Sequence, residues 1–429
     1  MSAPTDLREL LPSAIGRASR RLVPFLVIAY IVSFLDRANV AFAKEALGMT
    51  RGISEQAYAL GAGLFFLSYS TCGFPSNLIL HRIGARRWIS TLLIAWGLVS
   101  AATIFIQGPV SFYGLRLLLG VTEAGFFPGI ILYLTYWFPE EVRGRIMGLF
   151  YLGVPIALIV GGPLSGVLLD LNVGLQGWQW MFLVEGLLAS GVGVLALTRL
   201  PDRPHQARWL PEGERQALLA QLEHESAERR VFGPVRAFSI FQDWNMLRFV
   251  LIYALIQVST YGVVFYLPTE IGTLLHRRTG AVVGIVSAIP WIFAALAVYL
   301  LPHLADTRRQ HRLVASITLG TAGIAGLVFP TAGPGLGLVT LSIAASAFVA
   351  VQPVFWTFPT SYLADVAAAG GIALIGAGNL GGFIAPNLKV WADRFFGTPF
   401  AGLYLLATLA LLNAGLVATL RRPQRPPRR

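Results

Sequence analysis

Twelve apolar runs, each of about 20 residues, divide this chain of 429 residues and constrain its fold more than any other feature. A helix of that length crosses the ~30 Å hydrocarbon core of a bilayer. The composition agrees, because 55% of the residues are hydrophobic and only 13% are charged. The runs are continuous rather than alternating, and Leu, Ala and Gly dominate them, which argues against a membrane barrel. We therefore predict an all-α membrane protein with twelve transmembrane helices.

The longest polar segment follows the sixth apolar run and divides the helices into two groups of six. We predict an N-terminal six-helix bundle at residues 1–200, a cytoplasmic linker at 201–246, and a C-terminal six-helix bundle with a basic cytoplasmic tail at 247–429. The predicted spans are residues 22–42, 57–80, 87–107, 111–137, 147–169, 179–200, 247–269, 281–304, 311–330, 334–358, 370–391 and 397–420.

The linker predicts one short helix rather than a catalytic domain. Pro211 and the glutamates that follow it are typical of a helix start. Leu218, Leu219 and Leu222 would then form an apolar stripe along the helix.

Weak internal similarity at a displacement of about 225 residues indicates that the two groups of helices are related. The loop HRIGARRW at His81 matches LADTRRQHR at Leu304, and Pro128 in the fourth span matches Pro353 in the tenth. Duplicated transporters leave such signals. We expect two pseudo-symmetric bundles.

The 33 basic residues predict the orientation of the chain. With the N-terminus in the cytoplasm, 25 of them lie in cytoplasmic segments and six in outer loops, which leaves Arg37 and Arg116 inside the bilayer. This bias predicts that both termini are cytoplasmic. We expect the protein to lie in the inner (plasma) membrane of a bacterium. The basic tail RRPQRPPRR is better explained by topology and contact with anionic lipid than by nucleic-acid binding.

Several function classes lack their usual sequence signals. The chain has no GxxxxGK[ST] loop, which argues against ATP as the direct energy source. Its six histidines are scattered without metal-ligand spacing, so we expect no metal, no cofactor and no enzyme activity. Glu185 and Glu270 fall nearer to span ends, where water reaches them, and we interpret both as structural.

Four ionisable residues lie inside predicted spans: Asp36, Arg37, Arg116 and Glu123. Each costs about 2.5 to 3.5 kcal/mol at the centre of a membrane helix. Arg116 and Glu123 are seven residues apart, so they share a helix face but lie ~10 Å apart along the axis, and a bend or a partner from the first span must connect them. They form either a structural ion-pair cluster, or an arginine that binds an anionic substrate beside carboxylates that carry protons.

Other polar and aromatic residues could complete a cavity between the bundles. Tyr253, Gln257 and Tyr261 share a helix face. The remaining candidates are Tyr69, Gln352, Trp356 and Asn379.

The blocks FLDRANVAFAK, HRIGARRW, FYGLRLLLGVTEAGFFPG and FWTFPTSYL carry a family resemblance. The sequence resembles the major facilitator superfamily and, within it, the anion:cation symporter family. That family includes permeases for phthalate, tartrate, hydroxyphenylacetate, hexuronates and galactonate, and the animal sialic acid and vesicular glutamate carriers. The resemblance covers nearly the whole chain and implies the twelve-helix major facilitator fold.

The resemblance also implies roles for single residues. Asp36 and Glu123 look like the protonatable carboxylates of the family. Arg37 is similarly placed to the arginine that meets the substrate carboxylate, and Arg116 to the arginine that pairs with the glutamate of the fourth span. By the same resemblance, Tyr69, Gln257 and Asn379 line the cavity.

Three positions depart from the family pattern. Phe34 stands where many relatives have tyrosine, Gly376 where many have asparagine, and His81 where the superfamily usually has an acidic residue. The first two changes remove polar groups from the expected cavity, which argues against a heavily hydroxylated sugar acid and favours an apolar or aromatic carboxylate.

Taken together, these observations predict a proton-coupled symporter that imports a small organic anion, such as an aromatic acid or a dicarboxylate, by alternating access. We expect it to act as a monomer whose partners are the organic anion, protons and membrane lipids. The alternatives are a proton-coupled efflux antiporter of hydrophobic compounds and a ligand sensor that does not transport. An enzyme embedded in the membrane is a third alternative, disfavoured by the lack of clustered catalytic residues.

Overall fold

A computed structural model describes residues 5–231, 244–362 and 374–420. The described residues form long helices joined by short turns. In chain order they are α1 (Thr5–Arg51), α2 (Glu55–Ile83), α3 (Ala85–Ala101), α4 (Pro109–Glu123), α5 (Phe126–Trp137), α6 (Glu140–Tyr151), α7 (Gly153–Leu169), α8 (Gly177–Arg199), α9 (Glu212–Val231), α10 (Trp244–Leu274), α11 (Ala281–Arg308), α12 (His311–Val328), α13 (Pro334–Tyr362), α14 (Gly381–Phe396) and α15 (Ala401–Ala418).

Ten stretches in the described part of the chain are long and apolar enough to cross a membrane. The second and eleventh predicted spans coincide with α2 and with the helical residues 374–396. The start of the eleventh span, the later part of the linker and the basic tail lie outside the described residues, at 370–373, 232–243 and 421–429.

Two predicted spans are broken near their middle, and proline explains both breaks. The fourth span is interrupted between α4 and α5, directly after Glu123, and the fifth between α6 and α7, at Leu152. Pro128 and Pro155 each lack the N–H that would bond the carbonyl four residues earlier, at positions 124 and 151. Glu123 therefore lies at the end of a half-helix.

The two halves of the molecule, residues 5–200 and 244–420, pack together mainly at one end. We call it the first-loop end, because it carries the turn at residues 52–54; the opposite end, which carries residues 200–211, is the linker end. At the first-loop end α7 packs on α11, α1 on α10, and α2 on α14. One buried core runs through this end of both halves, whereas the linker end of the C-terminal half has a core of its own.

Glycine allows the closest of these helix contacts. A Cβ on Gly162 of α7 would lie 2.5 Å from the carbonyl oxygen of Gly284 on α11, and one on Gly166 would lie 2.6 Å from that of Gly280. Any larger side chain there would push the two halves apart.

Helix α9 confirms the prediction of a short helix in the linker. It begins at Glu212, after Pro211, and buries Leu218 completely. It packs on α1 of the N-terminal half, where Glu214 accepts a hydrogen bond from Ser13 at 2.9 Å and pairs with Arg17 at 3.0 Å.

Candidate functional site

The centre of the candidate site is an ion pair between Arg37 on α1 and Glu123 at the end of α4. Nη2 of Arg37 donates to Oε1 of Glu123, and the hydroxyl of Ser33, one turn earlier on α1, donates to the same oxygen at 2.6 Å. Glu123 is 1% exposed, and its Oε2 has no hydrogen-bond partner among the described residues. The pair neutralises two charges that would each be costly to bury alone, and it leaves one carboxylate oxygen open to a proton.

Arg37 also connects the two halves of the molecule. Its Nη1 donates to the hydroxyl of Tyr261 on α10 at 3.3 Å. The guanidinium lies over three rings of the N-terminal half, 4.9 Å from the centroid of Phe34, 5.4 Å from Phe65 and 5.1 Å from Tyr69. These cation–π contacts stabilise the charged guanidinium of Arg37 in a site that excludes water.

Asp36 faces the interior of the N-terminal half. Its Oδ1 accepts hydrogen bonds from the hydroxyl of Ser100 on α3 and, at 3.2 Å, from the amide of Asn39. It is 1% exposed, and within the described ranges its Oδ2 has no hydrogen-bond partner. Asp36 and Arg37 are adjacent on α1 but face different surroundings, because side chains one position apart on a helix point about 100° apart.

Arg116 on α4 is buried but less well satisfied than Arg37. Its guanidinium lies 5.0 Å from the centroid of Phe65, so both arginines contact that ring. Its Nε and Nη2 have no hydrogen-bond partner in the described part of the chain.

The predicted residues of the C-terminal half form a separate group. Nε2 of Gln257 on α10 donates to Oδ1 of Asn379 at 2.8 Å. Trp356 on α13 packs against Tyr253, with 5.1 Å between ring centroids. Gln257 lies one turn before Tyr261, the residue of α10 that binds Arg37, so the two groups lie on opposite sides of the boundary between the halves.

The structure departs from two expectations. The resemblance implied that Arg116 pairs with Glu123, but Glu123 accepts its hydrogen bond from Arg37, because α1 lies against the break that ends α4. We also expected water to reach Glu185 near a span end. That expectation was wrong: Glu185 lies two turns inside α8 and is 2% exposed.

Sequence reasoning missed some of the hydrogen-bond donors in the site. Ser33 lies four residues before Arg37, so helical spacing alone places it on the same face and could have identified it. Ser100 lies on another helix, and its contact with Asp36 depends on how α3 packs against α1, for which the sequence holds no signal.

Comparisons with known proteins concern the chain as a whole. A family model described as Major Facilitator Superfamily matches residues 26–386. The chain is 42% identical to the "Inner membrane transport protein RhmT" of Escherichia coli (strain K12), over 96% of this chain and 96% of that protein. It is 39% identical to a "Putative tartrate transporter" of Agrobacterium vitis, over 96% and 92%. It is 38% identical to a "Quinolone resistance transporter" of Acinetobacter baumannii, over 93% and 92%.

Among solved structures, the crystal structure of a D-xylose-proton symporter matches with a TM-score of 0.74. The match covers 93% of this chain and 97% of that chain at 15% sequence identity, so the likeness concerns the fold alone. It confirms the predicted all-α fold of two pseudo-symmetric six-helix bundles.

Proposed function

This chain belongs to the Major Facilitator Superfamily, and on that premise we propose that it imports a small organic carboxylate together with protons by alternating access. Its relatives are membrane transporters, and the chain is accordingly an integral membrane protein that moves small molecules rather than an enzyme. The proposal concerns the anionic substrate, the coupling to protons and the residues that carry both.

One observation supports the proposal above the others: Arg37 binds a titratable carboxylate of its own half and a hydroxyl of the other half. A proton on Glu123 would remove the negative partner of Arg37 and release its guanidinium for the carboxylate of a substrate. Substrate binding and protonation would then favour each other, since a coupling free energy between two sites is reciprocal. Asp36 is the second proposed proton carrier.

The surroundings of Arg37 support a particular class of substrate. The rings of Phe34, Phe65 and Tyr69 offer apolar surface beside the cation, which suits an aromatic or otherwise apolar carboxylate. Arg116 supplies a second buried cation with free N–H groups, which suits a dicarboxylate. A relative named as a tartrate transporter agrees with the latter.

The C-terminal half supplies the other wall of the proposed site, from Gln257, Asn379 and Trp356. The halves are closed at the first-loop end. If the basic residues place both termini in the cytoplasm of a bacterium, that end faces outward and the site is reached from inside. Rocking of the bundles about the site would then expose it to the other side, with the monomer as the working unit.

The substrate class is tested by the thermal stability of the purified protein in detergent, at about pH 5.5 and about pH 7.5. The panel contains L-tartrate, benzoate, a sugar acid, a lipophilic amine and a neutral sugar. A true ligand at ~100 times its dissociation constant stabilises the protein by about 2.7 kcal/mol. We expect shifts with one class of carboxylate, larger at the lower pH. Shifts with the amine alone would overturn the anion assignment.

The coupling role of Glu123 is tested by Glu123→Gln, which mimics the protonated carboxyl and keeps its shape. In proteoliposomes we expect this variant to exchange substrate across the membrane but to lose accumulation driven by a pH gradient. The expected loss follows because the site can no longer gain or release that proton. Accumulation equal to that of the wild type would exclude the role.

One observation supports the alternative of an efflux antiporter: a relative is named as a quinolone resistance transporter. The direction of proton movement separates the two functions. A pH-sensitive dye inside the proteoliposomes should report acidification when a carboxylate enters through a symporter. Alkalinisation on substrate entry would indicate an antiporter, and binding without any flux would indicate a sensor.

A further inference from the structure

Glu185 on α8 is a third buried carboxyl in the membrane core of the N-terminal half, and the proposed mechanism does not use it. Its Oε1 accepts a hydrogen bond from the hydroxyl of Ser165 on α7 at 2.8 Å. Its Oε2 has no hydrogen-bond partner in the part of the chain that the structure describes. A carboxyl with 2% exposure and one free oxygen is an unusual residue to bury without a cation.

The elements packed against α8 are α3 with its continuation Ala102–Phe105, α1 and α7. Helix α1 contributes Asp36 and Asn39, and the amide of Asn39 donates to Asp36 at 3.2 Å. Helix α7 contributes Ser165, and α3 approaches α8 through Gly97, which carries no titratable group. Within the described residues, no cation pairs with Glu185, whose hydrogen bond comes from the hydroxyl of Ser165.

The balance of charges in this core indicates which carboxyl holds a proton. Arg37 is bound to Glu123, and the Nε and Nη2 of Arg116 bond to no described residue, Glu185 included. Among the described residues, an ionised Glu185 would therefore have no bonded counter-charge. A buried carboxylate without a partner takes up a proton rather than remain charged.

Ser165 connects Glu185 to the boundary between the halves. Its side chain lines a small cavity of about 10 Å³, closed by Leu35 of α1 and by Val264 and Trp291 of the C-terminal half. A space of this size is close to what one water molecule needs. Separation of α7 from α11 would open this cavity to water, because the Gly162 and Gly284 contact lies beside it.

We propose that Glu185 is a proton-binding residue of the N-terminal half. It holds a proton while the first-loop end is closed, and its O–H group exchanges that proton with water when α7 and α11 separate. The contribution of Glu185 to transport rests on the proton coupling proposed above. The binding and exchange of the proton are independent of any substrate.

Infrared spectroscopy of the purified protein tests the proposal without a substrate. A protonated carboxyl has its own C=O stretching band, which we expect at neutral pH and expect Glu185→Gln to remove. Glu141→Gln changes an exposed carboxyl on α6 and should leave the band unchanged.

Exchange into D2O tests access to the proton. The isotope shift of the band should develop slowly in the wild type and faster in Gly162→Ala, which forces α7 from α11.

If Glu185→Gln does not fold, Ser165→Ala serves instead, since loss of its hydrogen bond should move the band to higher frequency. A spectrum unchanged by both variants, or an exchange rate indifferent to Gly162→Ala, would overturn the proposal. Failure of proton-coupled uptake in the wild type would remove only the transport role.

Discussion

At the scale of single residues, each buried carboxyl in the N-terminal half has its own bonding partners. Arg37 is bound to Glu123, Asp36 is held by Ser100 and Asn39, and Glu185 is held by Ser165. Removing one partner of a buried ion pair costs about 3 to 5 kcal/mol, because the other charge stays buried. A Glu to Gln substitution keeps both the shape of the side chain and its hydrogen bonding. It therefore tests the role of the proton with less effect on folding than a substitution by alanine.

Glu55 at the start of α2 offers a matched control for the pH dependence of transport. Burial raises its pKa, but the hydrogen bond and charge of Lys44, with the charges of Lys389 and Arg394, outweigh this and hold the pKa below its ordinary value. The stability it contributes is present above the ordinary pKa and is lost only as the pH falls through the lowered value. Glu55 is thus ionised at both about pH 5.5 and about pH 7.5.

We therefore expect Glu55→Gln to leave the ratio of uptake rates at those two pH values unchanged. Initial rates in proteoliposomes check this, with Glu123→Gln measured beside it as the variant that should abolish the pH response. A changed ratio in Glu55→Gln would mean that Glu55, rather than the buried carboxyls, contributes to the pH dependence.

The identity of the charged residues could be predicted from the sequence, but their pairing could not. An ionisable residue inside an apolar run stands out by its cost, so Asp36, Arg37, Arg116 and Glu123 are visible without a structure. Which arginine meets Glu123 depends on the break after α4 and on the packing of α1 against it. Glu185 was misjudged because its depth depends on where α8 begins, at Gly177.

At the scale of helices, the start of α11 is held by carboxylates of the other half. Oδ2 of Asp170 accepts a hydrogen bond from the backbone N–H of Ala281 at 2.9 Å, and Glu45 accepts one from that of Thr279 at 3.1 Å. The N–H groups at a helix start have no partner within the helix, and a negative charge there is favourable. These bonds exist only while the first-loop end is closed.

We expect Asp170→Ala to shift the protein toward opening at the first-loop end, by about two- to fivefold for a loss of about 0.5 to 1 kcal/mol. The measurement is the labelling rate of Ala288→Cys, a buried position on α11, in a Cys72→Ser background. Asp202→Ala is the matched control: Asp202, at the linker end, accepts a hydrogen bond from the backbone N–H of Arg86 at 2.7 Å and, among the described residues, makes no bond across the two halves. Equal effects of the two variants on labelling would contradict the prediction.

The glycine contact between α7 and α11 gives a second prediction at this scale. Gly162→Ala should increase the labelling of Ala288→Cys, because the added Cβ would collide with the carbonyl of Gly284. Gly320→Ala on α12 is the control, since nothing in the described structure lies within 4 Å of a Cβ there. The control should gain up to about 1 kcal/mol of stability from helix propensity. Unchanged labelling in Gly162→Ala would show that the helices can adjust.

At the scale of the whole molecule, the apolar runs predicted the membrane-spanning helices, because every helix that crosses a bilayer must satisfy its own backbone. The division into two bundles came from the linker, the internal similarity and the family resemblance. The closure at the first-loop end could not be predicted in this way. It depends on small residues such as Gly162 of α7 and Gly284 of α11, which face each other across the boundary between the halves. The periodicity within one helix does not show which residues of another helix it will meet. The orientation of the chain still rests on the distribution of its basic residues.

The orientation predicts the location of both termini. A green fluorescent protein fused after residue 429, or before residue 1, should fluoresce in bacterial cells, whereas alkaline phosphatase fused at the same positions should be inactive. The physical reason is the excess of arginine in the loops at the linker end. Active phosphatase at either terminus would reverse the orientation, and the structure would then be open to the outside.

The docking of α9 on α1 has a consequence for biosynthesis. By residue 231 the ribosome has made the N-terminal helices together with the helix that covers their linker end. Arg37 and Glu123 both belong to that first product, so their charges can neutralise each other before Tyr261 has been synthesised. The N-terminal half therefore holds both members of its buried ion pair, and it can neutralise them without any residue of the second half.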